Sequence, residues 1–101
     1  MSRKEIITEQ TRALMRGLLS LKTEEECQAF LEDLCTASEL QSLAQRFEVA
    51  RMLRGRATYQ EIATKTGAST ATISRVNRCL NYGTDGYELV LGRLQDQYLQ
   101  D

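Results

Sequence analysis

Thr58-Tyr-Gln-Glu-Ile-Ala-Thr-Lys-Thr-Gly67-Ala-Ser-Thr-Ala-Thr-Ile-Ser-Arg-Val-Asn-Arg-Cys-Leu80 carries the strongest fold signal in the chain. Two short helices that cross steeply need a small residue where their backbones approach, and Ala63 supplies it. The tight connection needs a residue that accepts a positive φ, and Gly67 supplies that. Ile62, Ile73 and Val76 then form an apolar wedge between the two helices. This spacing of alanine, glycine and isoleucine is that of a helix-turn-helix over residues 58–80, with an ordinary helical hairpin as the alternative.

The second helix of the pair sorts its residues into two faces. At 100° per residue, Ile73, Val76 and Leu80 cluster on one side, and Ser69 stands at the N-cap position. Ala71, Ser74 and Arg78 occupy the opposite side, flanked by Thr70, Arg75 and Asn81. A face with short side chains near its N-terminus and arginine farther on suits the DNA major groove. Methyls can meet thymine methyls there, hydroxyls can meet base edges, and arginine can pair with guanine O6 and N7. The first-turn amides behind Ser69 can receive a phosphate. The bland reading of the Thr70 and Thr72 hydroxyls is local capping and solvent contact.

Working outward, the apolar spacing is helical throughout, and no proline interrupts it. Helices are predicted over 3–20, 24–35, 37–54, 59–66, 70–81 and 86–99. Ile7, Leu14, Leu18 and Leu21 line the first, and Cys27, Phe30, Leu31 and Leu34 the second. Leu40, Leu43, Phe47, Ala50 and Leu53 line the third; Tyr87, Val90, Leu91, Leu94 and Tyr98 line the sixth. Capping patterns begin at Thr23, Thr36, Thr58 and, more loosely, Asp85, while Gly55 and Gly83 stand where stops belong. The expected fold is all-α, a single domain over 1–101. The first, third and sixth helices carry apolar residues on more than one side, which calls for a second packing neighbour such as another subunit.

Charge is unevenly distributed. The chain carries −1 overall, but residues 46–78 sum to +5 while 1–45 and 79–101 each sum to −3. A basic middle between acidic ends fits a local phosphate-facing patch, or else a solvated arginine-rich face. Several classes find no support. Without histidine the commonest general base and metal ligand is missing, and neither a phosphate-binding glycine loop nor a G-x-S-x-G elbow occurs. Cys27, Cys35 and Cys79 are odd in number and not spaced as a zinc box, so they read as buried thiols in a reducing compartment. No apolar run reaches the roughly 18 residues a membrane helix needs, and MSRKEIITEQ has no secretory apolar core. The expectation is a cytoplasmic protein with no catalytic centre, metal or resident cofactor.

Residues 66–80, together with Leu43-Ala-Gln-Arg-Phe-Glu-Val-Ala50, resemble the Trp-repressor superfamily, and within it the TrpR-related YerC/YecD branch. The resemblance spans nearly the whole chain. It implies six helices in an intertwined two-fold homodimer, with the fourth and fifth helices forming each reading head. It further implies two recognition helices about one DNA turn apart on a near-palindromic site, with base reading largely through waters. The positions matching the family's effector residues are Arg46, Arg75 and Thr36, which suggests an anionic small molecule such as an amino acid docking between Arg46 and Arg75, with tryptophan itself disfavoured. Two departures bear on this: Val76 stands where a glycine lines the indole slot, and the third-to-fourth helix connection is one residue shorter.

The expected function is sequence-specific binding of double-stranded DNA by a dimeric transcription regulator, acting as a repressor and reading through helix 69–81. The candidate DNA contacts are Gln60, Ser69, Thr70, Ala71, Thr72, Ser74 and Arg78, with Arg54, Arg56 and Lys65 near phosphates. The alternative is a helical protein-interaction module that keeps the fold and contacts a protein through the same face.

Overall fold

A computed structural model of the chain describes residues 6–100, with side chains over residues 6–95. Among the described residues six complete helices follow one another and no strand occurs: α1 (Glu9–Leu19), α2 (Glu24–Leu34), α3 (Ala37–Arg54), α4 (Tyr59–Thr66), α5 (Thr70–Tyr82) and α6 (Gly86–Gln100). The chain divides into two compact units, Met1–Leu40 and Gln41–Asp101.

The first unit holds α1 and α2. A single helix over 3–20 is not what forms. Ile7 and Thr8 are non-helical, and Thr8 caps a fresh start at Glu9. Its hydroxyl accepts from the Thr11 amide at 3.2 Å, and its own amide donates to the Thr11 hydroxyl at 2.7 Å. That hydroxyl also donates to the Ile6 carbonyl at 2.9 Å, so threonine side chains replace the helical ladder at this point. The expected start at residue 3 and the Tyr98 side chain lie outside the described residues. Gly17 lies opposite the Phe30 ring where α1 and α2 meet. Neither helix has a buried residue. Leu14, Met15, Leu18 and Leu34 all stay more than a third exposed.

The second unit contains the core: Val49 and Ala50 of α3, Ile62 of α4, Ala68 of the following turn, Ile73 and Val76 of α5, and Leu91 of α6. Phe47, Leu53, Ala63, Leu80 and Tyr87 pack around it. Sequence spacing placed Leu43 in this core, yet it is 43% exposed, while Val49 is fully buried. Apolar residues lie on more than one side of α3, and the face that receives α4 and α5 is the one bearing Val49 and Ala50.

The ends of α3 and α5 show two backbone devices. After α3, the Ala57 amide donates to the Met52 carbonyl and the Arg56 amide to the Leu53 carbonyl, both at 3.0 Å. This is a Schellman closure. The residue in the left-handed region is Arg56 (φ 66°), not the expected stop Gly55, which falls one position too early. After α5, the Gly83 amide donates to the Cys79 carbonyl, and a Cβ at Gly83 would collide with that carbonyl. Asp85, expected as a looser cap of α6, adopts a left-handed φ of 65° and so does not take the extended backbone of the threonine caps.

Two substitutions test these devices by thermal or urea unfolding. Gly83→Ala must displace backbone at the end of α5 and is expected to lower stability by about 1–3 kcal/mol. Arg56→Gly removes a left-handed penalty of about 1–2 kcal/mol but adds unfolded-state freedom, for a net gain of about 0.5–1 kcal/mol.

Candidate nucleic-acid interface

Each part of the helix-turn-helix is fixed by local chemistry. Thr58 and Glu61 close a capping box at the start of α4, with side chain to amide distances of 3.1 and 3.2 Å. The backbone amide and hydroxyl of Thr58 hold the Glu61 carboxyl below the usual carboxylate range. At the turn, Gly67 takes the left-handed conformation (φ 72°) and its amide donates to the Ala63 carbonyl at 2.9 Å. The Thr66 hydroxyl donates to the Ile62 carbonyl at 2.7 Å and accepts from the Ala68 amide at 3.1 Å. Ser69 caps α5, accepting from the Thr72 amide at 3.1 Å.

These constraints seat Ile73 and Val76 in the core and turn Thr70, Ala71, Ser74, Arg75 and Arg78 outward, all exposed. Gln60 is exposed in the first turn of α4, beside Tyr59, an exposed aromatic that sequence reading did not single out. Thr72 is half-buried, and its hydroxyl lies 3.1 Å from that of Ser69. The local capping role therefore accounts for both of these hydroxyls.

Arg54 differs from expectation. Its Nε donates to both carboxylate oxygens of Glu88 at 2.8 and 3.2 Å, and one terminal nitrogen donates to the Gln95 side-chain oxygen at 2.7 Å. The other terminal nitrogen passes over Gly92, where a Cβ would stand 3.7 Å away. Arg54 thus lies along α6 over about two turns and is not presented to a phosphate. Glycine inside α6 was the available sequence signal for such a close approach. Glu48 similarly engages Arg51 at 2.7 Å and stands 3.8 Å from Lys65. Its carboxyl is held below the usual range, first by the Arg51 hydrogen bond. Among the described residues, Arg56, Arg75 and Arg78 form no ion pair, and Lys65 is 61% exposed.

The residues matched to an effector site have other attachments. Thr36 and Glu39 form a reciprocal cap at the start of α3, at 3.1 and 2.8 Å. The Arg46 Nε donates to the Ser42 carbonyl of its own helix at 3.4 Å. Arg75 is exposed, and its neighbour Val76, only 2% exposed, fills core space where the resemblance implies a glycine-lined slot. No cluster of histidine, cysteine or acidic residues among the described residues could hold a metal. No helix among them is long and apolar enough to cross a membrane. Cys27, Cys35 and Cys79 are unpaired, and Cys79 is exposed rather than buried as expected, because it lies off the α5 packing face.

Comparison with known proteins extends the sequence resemblance to the whole fold. The Trp repressor protein family matches residues 9–95. An uncharacterized protein of Bacillus subtilis (strain 168), YerC, is 64% identical over 83 residues, covering 82% of this chain and 80% of YerC. The crystal structure of a TrpR-like protein from Eubacterium eligens superimposes with a TM-score of 0.89 at 56% identity, covering 92% of this chain and 96% of that one. A candidate Trp repressor from Staphylococcus aureus gives the same TM-score at 43% identity, covering 94% of this chain and 95% of its own. With its six helices, its helix-turn-helix and a family match over most of its length, the chain belongs to the Trp repressor protein family.

Proposed function

We propose that the protein is a sequence-specific, double-stranded-DNA-binding transcription regulator that acts as a repressor and reads a near-palindromic operator as a homodimer. The observation that carries this reading is the outward face of α5: Ala71 and Ser74 leave the helix slim near its N-terminus, and Arg78 lies on the same side. That face is backed by buried Ile73 and Val76 on a capped, tightly turned scaffold. Base discrimination falls to Ala71, Ser74 and Arg78, and phosphate contact to Arg56, Lys65, Gln60, Thr70 and the amides behind Ser69. Arg56 supports this assignment in a second way. A non-glycine residue held at φ 66° where glycine would serve the turn better marks a place where the side chain is wanted.

The homodimer rests on uncovered apolar surface. Ile7, Leu14, Met15, Leu18, Leu34 and Leu43 are each between 38% and 51% exposed, and α1 and α2 bury nothing fully. Apolar faces of this extent mark an association surface. A second copy is the partner that the fold and the symmetry of a palindromic site both favour. Unfolding midpoints are accordingly expected to rise with protein concentration, and sedimentation to give twice the chain mass. A concentration-independent midpoint with a monomer mass would contradict the dimer.

Selection of bound fragments from genomic DNA is expected to return one recurring near-palindrome at moderate salt, and absence of any sequence preference would refute DNA reading. Against the selected site, Arg78→Ala should cost about 1–3 kcal/mol and relax specificity at one base pair of each half-site. Lys65→Ala and Arg56→Ala should weaken all sequences alike, and each should reduce the salt slope by about 1. Arg54→Ala should leave the salt slope unchanged while lowering the unfolding midpoint, because its partners are Glu88 and Gln95.

A further inference from the structure

We propose that Gln45 is a positioning residue for DNA reading: its side-chain amide holds the helix-turn-helix turn against α3 and so fixes the angle at which α5 meets DNA. The inference rests on the DNA-binding function above and adds to it the residue that orients the head.

Thr66 is the last residue of α4, and its carbonyl has no helical partner of its own. The Gln45 Nε2 donates to that carbonyl at 3.1 Å from a partly buried position, joining segments 21 residues apart. The other hydrogen bonds of the turn are internal to the head: Gly67 to Ala63, Ala68 to Thr66, Thr66 to Ile62. They shape the turn but do not tie it to α3. The remaining attachment is apolar, with Ile62, Ile73 and Val76 in one cluster with Val49 and Ala50. Such packing resists separation and fixes which faces are buried, but it is not directional, so it sets the angle of the head less sharply than a hydrogen bond does. A second polar link among the described residues, Lys65 to Glu48, is 3.8 Å long, with Glu48 already engaged by Arg51 and Lys65 mostly exposed.

The placement gives the head two anchors. The closure through residues 52–57 ties the start of α4 to the end of α3, and Gln45 ties the end of α4 to α3 nine residues upstream of Arg54, about 13 Å along its axis. Eight-residue α4 spans about 12 Å, so the anchors sit at its two ends. Losing the second leaves the head hinged at residues 55–57.

Only a donor serves at position 45. Glutamate there presents acceptor oxygens to a carbonyl at the negative end of α4 and repels it, whereas protonated glutamate donates again. The chain suits this test because it lacks histidine. The charged neighbours are Arg46 and Glu48 on α3 and Lys65 on α4, and Glu48 is held below the usual carboxylate range.

The experiment measures affinities of the full-length protein, Gln45→Leu and Gln45→Glu for the selected duplex and for a scrambled duplex, at pH 8 and pH 5. Circular dichroism checks the fold of each. Gln45→Leu is expected to lose about tenfold in the ratio of specific to non-specific affinity at both pH values. Gln45→Glu is expected to lose at least as much at pH 8 and to lose less at pH 5, where a larger share of its carboxyl carries a proton. Should Gln45→Glu unfold at pH 8, Gln45→Leu still decides the ratio. Variants that keep the unaltered ratio overturn the inference, as does a loss in Gln45→Glu that is no smaller at pH 5 than at pH 8. Equal affinity of the unaltered protein for both duplexes removes the DNA-reading function, and this inference with it.

Discussion

The seating of Ile62, Ile73 and Val76 with Val49 and Ala50 of α3 governs where every outward residue of the reading head points. Ile73 and Val76 are three residues apart on α5, so burying both fixes which face of the helix turns outward. Ala71, Ser74 and Arg78 face outward because those two cannot. Burying an apolar side chain of this size contributes roughly 1.5–3 kcal/mol, more than a single neutral hydrogen bond at about 0.5–1.5 kcal/mol. Packing therefore holds the head in place. The caps at Thr58 and Ser69, the left-handed Gly67 and the Gln45 amide contribute direction rather than bulk stability.

Electrostatics divides the arginines into two populations. Arg51 and Arg54 are drawn into pairs, one within α3 and one with α6, and the α6 partner comes from the acidic C-terminal segment. A charge sum over residues 46–78 counts Arg54 as positive without its Glu88. Among the described residues, Arg56, Arg75 and Arg78 form no ion pair, and all three lie in the helix-turn-helix or at its entry. The usable positive charge is thus smaller than the sequence sum and better placed.

Sequence patterns revealed most of the fold where local chemistry decides it. The ends of α3 and α4, the Thr58–Glu61 box, the left-handed Gly67 and the division of α5 into two faces all follow from spacing and side-chain type. What stayed hidden depends on neighbours distant in sequence. No local pattern distinguishes Val49 from Leu43 on a helix that carries apolar residues on more than one side. None shows that Arg54 turns toward α6, beyond the hint of Gly92, or that Gln45 reaches Thr66. The break at Thr8 was missed for a different reason: capping by threonine at the third position, instead of glutamate, lies outside the pattern used for the other helices.

The uncovered apolar faces and the shortness of α5 bear on each other. Under the proposed function one α5 would offer about three side chains to base edges, each worth about 1–3 kcal/mol of discrimination, while specific regulators separate operator from bulk DNA by about 4–10 kcal/mol. One head falls at the lower end of that requirement, and two heads on a two-fold site meet it. In a lone chain, Leu14, Leu18, Leu34 and Leu43 would be an aggregation hazard with nothing to offset it. Under the proposed dimer they supply the interface that sets the spacing of the heads. Under the proposed function, rigid spacing has value only if each head also keeps its own orientation, since an error in either would move Arg78 off the base assigned to it. The apolar surface of α1 and α2 and the Gln45 bond at the turn therefore answer to the same demand, one between the heads and one within each.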